Sequence, residues 1–87
     1  MSAEYIKKKR ILLVDDEPEL REMVVSILKE DGFEKIETAG SVREALDAAQ
    51  RFSPDLAILD VMLPDGNGFD LMKSLKKSGD YPVLFLT

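Results

Sequence analysis

Three aspartates are the residues of this chain best placed to do chemistry. Asp15 and Asp16 follow the apolar run Ile11-Leu12-Leu13-Val14, and Asp60 follows the run Leu56-Ala57-Ile58-Leu59. In an open parallel α/β sheet, ligands bind outside the carboxyl ends of the strands. Neighbouring strands lie roughly 5 Å apart, so if these runs are adjacent and parallel, their carboxylates converge on one point. A cluster of that kind repels itself unless a cation or shared protons compensate it. The sequence contains no histidine and no cysteine, so a metal there must be held by oxygen. That donor set suits a hard cation such as Mg²⁺. A carboxylate in the cluster is also a candidate nucleophile. Each aspartate alone has a plainer reading, Asp16 as a helix cap and Asp15 or Asp60 as a loop or turn residue. Their shared position at the ends of two buried strands favours a site.

The elements that must position them follow from apolar periodicity. Residues 10–15 and 56–60 read as buried central strands, short and continuously apolar. A helix follows the first. Asp16 and Glu19 have the spacing of an N-cap and its N3 partner, Pro18 fits the first turn, and Leu20, Val24, Ile27 and Leu28 share a face. Gly32 is placed to end this helix, with Phe33 packing back. Residues 35–39 alternate weakly, as an edge strand would. Ser41 and Glu44 repeat the capping pattern, and Val42, Ala45, Leu46, Ala49 and Phe52 form the stripe of a second helix, broken by Ser53-Pro54-Asp55. Pro64-Asp65-Gly66-Asn67-Gly68 reads as a turn-rich loop. A third helix is predicted from about Phe69 to Ser78, with Leu71, Met72 and Leu75 inward and Gly79 at its end. Val83-Leu84-Phe85-Leu86 is a last apolar strand. The β-α-β-α-β-α-β order implies a parallel α/β sheet.

Composition narrows the function. A chain of 87 residues, 45% of them hydrophobic, fits one small globular domain. A net charge of -5 disfavours direct contact with nucleic acid, which wants a basic face. The basic run Lys7-Lys8-Lys9-Arg10 reads as a solvated strand flank. No apolar stretch has the length of a membrane span, and no signal-peptide core is present, so the sequence reads as cytoplasmic. Other α/β chemistries fit worse. Gly66 and Gly68 begin a dinucleotide fingerprint, but position 71 is Leu. Walker A and nucleophile-elbow patterns are absent. An aspartate-based Mg²⁺ phosphohydrolase wants Asp-x-Asp after the strand, where this chain has Asp15-Asp16-Glu17.

Asp15-Asp16-Glu17-Pro18 after the first strand, Asp60-x-Met-Leu-Pro-Asp-Gly after the third, and a hydroxyl residue ending the fourth agree in order and spacing. Together they resemble a response-regulator receiver domain, over essentially the whole chain after its first ten residues. The resemblance implies a flavodoxin-like doubly wound sheet, here with strand order 2-1-3-4. It implies that Asp60 is the phosphoacceptor and that Asp15, Asp16 and Asp60 hold Mg²⁺ together with the backbone carbonyl of Met62. Thr87 matches the switch hydroxyl, and Pro64 and Gly66 shape the loop after the acceptor. It further implies a sensor histidine kinase as phosphoryl donor, an output domain or effector as partner, and a signalling module rather than an enzyme.

The family pattern continues past Thr87 with a fourth helix, a fifth strand ending in a phosphoryl-binding lysine, and a fifth helix. Residues 1–87 are therefore expected to be a receiver lacking its C-terminal part. Lys73, Lys76 and Lys77, on the third helix, do not match the missing lysine. Without it the resemblance implies slow or absent phosphorylation, because preorganised cations stabilise developing charge. The last strand would be an exposed apolar edge, which invites pairing with another copy. The alternative reading is accordingly an interaction or dimerisation fragment that is not phosphorylated.

Overall fold

The computed structural model describes residues 8–86. Four strands form one parallel sheet: β1 (Arg10–Val14), β2 (Lys35–Ala39), β3 (Leu56–Leu59) and β6 (Val83–Phe85), in the order β2-β1-β3-β6. Between them run α1 (Pro18–Glu30), α2 (Val42–Phe52) and α3 (Gly68–Ser78), and a two-residue-stranded hairpin, β4 (Met62–Leu63) with β5 (Gly66–Asn67), precedes α3. The sheet is the doubly wound one expected, with β6 in the fourth strand's place. The hairpin was not legible as such and stands where a loop was expected.

The sheet is covered on both faces, and β1 shows why its sequence is continuously apolar. Leu12 and Val14 point to one side and join Ala57 and Leu59 of β3 beneath α2 and α3. Ile11 and Leu13 point to the other and join Ile58 beneath Val24, Val25 and Leu28 of α1. Side chains alternate across a strand, so a strand clad on both faces needs an apolar residue at every position.

The helix boundaries correct some expectations. The N-cap of α1 is Glu17, without a side-chain cap, rather than Asp16. The reason lies one residue earlier: Asp15 Oδ1 accepts the Glu17 N–H at 2.8 Å, and Pro18 brings no N–H to be capped. Asp16 is thereby left for other work. The inward face of α1 is Val24, Val25 and Leu28, while Ile27 is 58% exposed. The helix ends as expected at Gly32, φ 98°, where Gly32 N–H donates to Lys29 O and Phe33 N–H to Leu28 O. These bonds form a Schellman motif, and Phe33 joins Leu28 on the same apolar cluster.

In α2 the Ser41 cap forms, its Oγ accepting the Glu44 N–H at 3.1 Å. The buried stripe is Ala45, Ala48 and Ala49, with Leu46 turned outward. Three alanines let the helix approach the sheet closely. In α3, Leu71 and Leu75 are buried and Met72 packs beside them. Leu12→Ala removes a fully buried side chain from the central strand. It is expected to lower the unfolding free energy by about 2–5 kcal/mol, read from urea denaturation followed by far-UV circular dichroism.

Candidate functional site

Strand pairing brings the acidic residues together. Val14 of β1 lies opposite Leu59 of β3, and the Asp60 N–H extends that ladder to Val14 O at 2.9 Å. On the other side, the Asp15 N–H donates to Ala39 O of β2 at 3.0 Å. The next residue along each strand is therefore an aspartate, and the two stand side by side at the sheet's carboxyl end. One carboxylate oxygen from each of Asp15, Asp16 and Asp60 lies within 4.8 Å of the others.

The three are not equivalent. Asp15 is buried, 1% exposed. Its Oδ1 is taken by the Glu17 N–H, while its Oδ2 is buried with no hydrogen-bond partner. Asp16 is exposed, and Asp60 is half-buried. Asp60 Oδ1 accepts only a long bond, 3.4 Å, from the Met62 N–H. At about 4 Å, a pair of like charges costs roughly 1 kcal/mol in water and about 4 kcal/mol near a protein surface. Three carboxylates so arranged, one with an orphaned buried oxygen, fit a cation that takes oxygen ligands. The all-oxygen donor set suits a hard cation.

The segment after Asp60 is built to hold its shape. Leu63 is buried in the core under α2 and α3. The hairpin pairs Met62 with Asn67 and Leu63 with Gly66, placing Pro64 and Asp65 at its turn. Asp65 then reaches the start of α2, where its carboxylate accepts the Val42 N–H at 2.7 Å and the Arg43 N–H at 3.1 Å. Gly66 lies against the same helix end, since a Cβ there would stand 3.1 Å from Val42 Cγ2. Gly68 donates its N–H to Val61 O at 2.7 Å, and a Cβ on it would collide with the Asp60 carbonyl. Asn67 caps α3 through the Asp70 N–H at 2.9 Å. Leu63, Asp65 and Asn67 thus tie the loop after Asp60 to the core, to α2 and to α3.

Of the residues singled out from sequence, Asp15, Asp16 and Asp60 converge. Met62 directs its side chain to solvent, 78% exposed. Thr87 lies outside the described residues. Lys73, Lys76 and Lys77 are exposed, the last two in the final turn of α3, away from the end that adjoins Asp60. Sequence reasoning missed Asp65 and Gly68 because their partners are distant or steric. The Asn67-x-x-Asp70 spacing did carry a capping signal. Also missed was Arg21, whose Nη1 donates to the main-chain oxygen of Asp15 at 2.7 Å.

The family model of the response regulator receiver domain matches residues 11–87. The chain belongs to that family. The receiver is 40% identical over 80 residues to the DNA-binding response regulator MtrA of Mycolicibacterium smegmatis, covering 92% of this chain and 35% of that protein. It is 47% identical over 78 residues to the probable transcriptional regulatory protein TcrX of Mycobacterium tuberculosis, covering 88% and 33%. It thus spans about a third of the length of these curated relatives. Among solved structures, the non-phosphorylated HemR receiver domain from Leptospira biflexa superposes with a TM-score of 0.81 at 42% identity, over 90% of this chain and 63% of that one. The chemotaxis response regulator CheY4 of Vibrio cholerae gives 0.77 at 36% identity, over 90% and 67%. The flavodoxin-like receiver fold and the place of this chain in two-component signalling are established by these likenesses.

Asp65 generates a pH prediction for the receiver. The two N–H groups at the start of α2 hold its carboxyl below the ordinary value of 3.8. A depressed carboxyl stabilises the fold fully above its unfolded pKa, and the stabilisation fades as pH falls through the lower folded value. The wild type should therefore melt at a higher temperature than Asp65→Asn at neutral pH. The gap should stay constant down to about the unfolded pKa of 3.8 and close at lower pH. Thermal melts of both proteins across an acid series check it.

Proposed function

We propose that this receiver accepts a phosphoryl group on Asp60 from a sensor histidine kinase and thereby changes a surface that an output domain or effector reads. The observation that carries the reading is the three-carboxylate cluster, in which Asp60 is half-buried and accepts only one long hydrogen bond. Asp15, Asp16 and Asp60, with the Met62 carbonyl, would hold Mg²⁺. Bound there, Mg²⁺ supplies positive charge that offsets the repulsion between the cluster and an incoming phosphoryl group.

The chain's own residues account for the rest. An Asp60 carboxylate oxygen attacks phosphorus, forming a P–O bond as the P–N bond to the donor imidazole breaks, and the imidazole leaves with the electron pair. Because the transition state is loose, positioning and charge do most of the work. Positioning is what the hairpin, Asp65 and Gly68 contribute to Asp60. Asp15 holds the buried flank of the cluster, and Asp16 its open side. The Thr87 hydroxyl is the candidate partner for a phosphoryl oxygen. The net charge of -5 favours protein partners over nucleic acid for this segment, and a cytoplasmic location suits a kinase-coupled module. No described helix is long and apolar enough to cross a membrane.

Intact-mass measurement after incubation with Mg²⁺ and a small acyl phosphate tests the assignment. Slow gain of one phosphoryl group is expected, absent in Asp60→Asn and absent when EDTA removes the metal. An unmodified protein that still binds Mg²⁺ would leave only the interaction reading standing, and steady turnover of phosphate esters would favour a hydrolase.

A specific observation supports self-association as a second property. Among the described residues β6 pairs only with β3, and Leu84 on it is 55% exposed. An apolar edge strand is a template for another chain, and a second copy of β6 matches it in length and character. Size-exclusion chromatography with light scattering should give a concentration-dependent mass above that of the monomer, reduced by Leu84→Lys. A monomer at all concentrations overturns this second reading.

A further inference from the structure

The main chain of Asp15 is held as firmly as its side chain, and by an unusual route. Its N–H closes the ladder to β2 through Ala39 O. Its carbonyl accepts from Arg21 Nη1 at 2.7 Å. Buried carbonyls need partners, and here a guanidinium on the first turn of α1 reaches back to supply one. The same Arg21 lies over Gly40, at the end of β2. A Cβ at Gly40 would stand 2.7 Å from Arg21 Nη1 and 3.7 Å from its Cζ. Gly40 is not among the residues with positive φ, so its backbone makes no demand for glycine. What the position requires is space, and the space is filled by Arg21.

We infer that Arg21, seated across Gly40, is a positioning residue for the acidic centre. It fixes the carbonyl of Asp15, while the Glu17 N–H fixes Oδ1, and together these two anchors hold a carboxylate whose Oδ2 has no hydrogen-bond partner. Gly40 acts through Arg21: any side chain there pushes the guanidinium off its acceptor. The obstacle is the far end of a flexible side chain, so Gly40→Ala is accommodated by moving Arg21 and leaves the fold intact. The Gly40 N–H, which donates to Glu44 Oε1 at 3.2 Å, is kept in that variant. Part of the inference, the effect on metal affinity, rests on the Mg²⁺ reading above. The effect on Asp15 itself does not.

The test is a double-mutant cycle on the 87-residue chain, with Arg21→Met, Gly40→Ala and the pair together, each checked for folding by thermal melt. Two quantities are read: the Glu17 amide resonance without metal, which reports the bond to Asp15 Oδ1, and Mg²⁺ affinity by titration calorimetry. Each single variant is expected to shift the Glu17 amide and to weaken Mg²⁺ binding by about 10-fold, the usual scale for a residue that orients a metal ligand. The double variant should be no worse than either alone, because both remove the same contact. Arg21→Lys, which keeps a cationic donor, should recover most of the affinity. Additive effects, or a Gly40→Ala protein with an unmoved Glu17 amide and unchanged affinity, overturn the inference. A wild type that binds no Mg²⁺ while the Glu17 shifts remain coupled defeats the metal reading and supports the role of Arg21. If Arg21→Met does not fold, the comparison of Gly40→Ala with wild type decides by the same two readouts.

Discussion

Val14 and Leu59 lie opposite one another in two parallel strands, and a carboxylate follows each. That register is the constraint on which the acidic end of the molecule depends. A slip of one residue would exchange the side chains packed under α1 with those packed under α2 and α3. It would also part Asp15 from Asp60. The packing that buries Leu12, Leu13, Ile58 and Leu59 therefore fixes the geometry of the charged cluster. Hydrophobic burial, which has no direction of its own, is converted by the pleat into a positional constraint on polar atoms.

The register sets where the strands end, but not how the chain leaves them. After β1, the chain is held by Asp15 itself, whose side chain takes the Glu17 N–H and whose carbonyl takes Arg21. After β3, it is held by the hairpin, by Leu63 in the core and by the reach of Asp65 to α2. These contacts oppose the mutual repulsion of the carboxylates. A site that keeps like charges close needs bonds from outside the cluster to hold its members in place. The loops around this one meet that requirement largely with backbone donors and a buried leucine.

Much of this was legible in sequence because it was local. Continuous apolar runs gave the central strands. Gly32 with Phe33, and Ser41 with Glu44, gave helix ends whose partners lie within a few residues. The convergence of three aspartates followed from topology once two runs were read as neighbours. What was not legible depends on partners far along the chain. Asp65 looks like an ordinary turn residue until α2, more than twenty residues earlier, is seen beside it. Gly68 and Gly40 look like turn glycines, yet each is defined by what a Cβ would strike. Asp16 was read as a cap because its spacing to Glu19 is right; in three dimensions Asp15 takes up the first N–H and frees its neighbour. Leu46 and Ile27 fell outside their stripes because the faces of α1 and α2 are set by contact with the sheet, and a periodicity count locates such a face only to within about one position.

The two faces of the sheet are unequally clad. α2 and α3 lie side by side over one face, and each has buried residues. Among the described residues α1 is the one helix over the other face, and it has no residue in the fully buried class. An element with so little buried surface loses the least when it detaches, so local opening has its lowest cost there. Amide hydrogens of α1 should exchange with solvent through excursions that leave β1, β3 and the far helices folded. The segment that opens most readily begins two residues after Asp16 and carries Arg21. Its docking and undocking would be felt directly at the Asp15 carbonyl, which Arg21 holds.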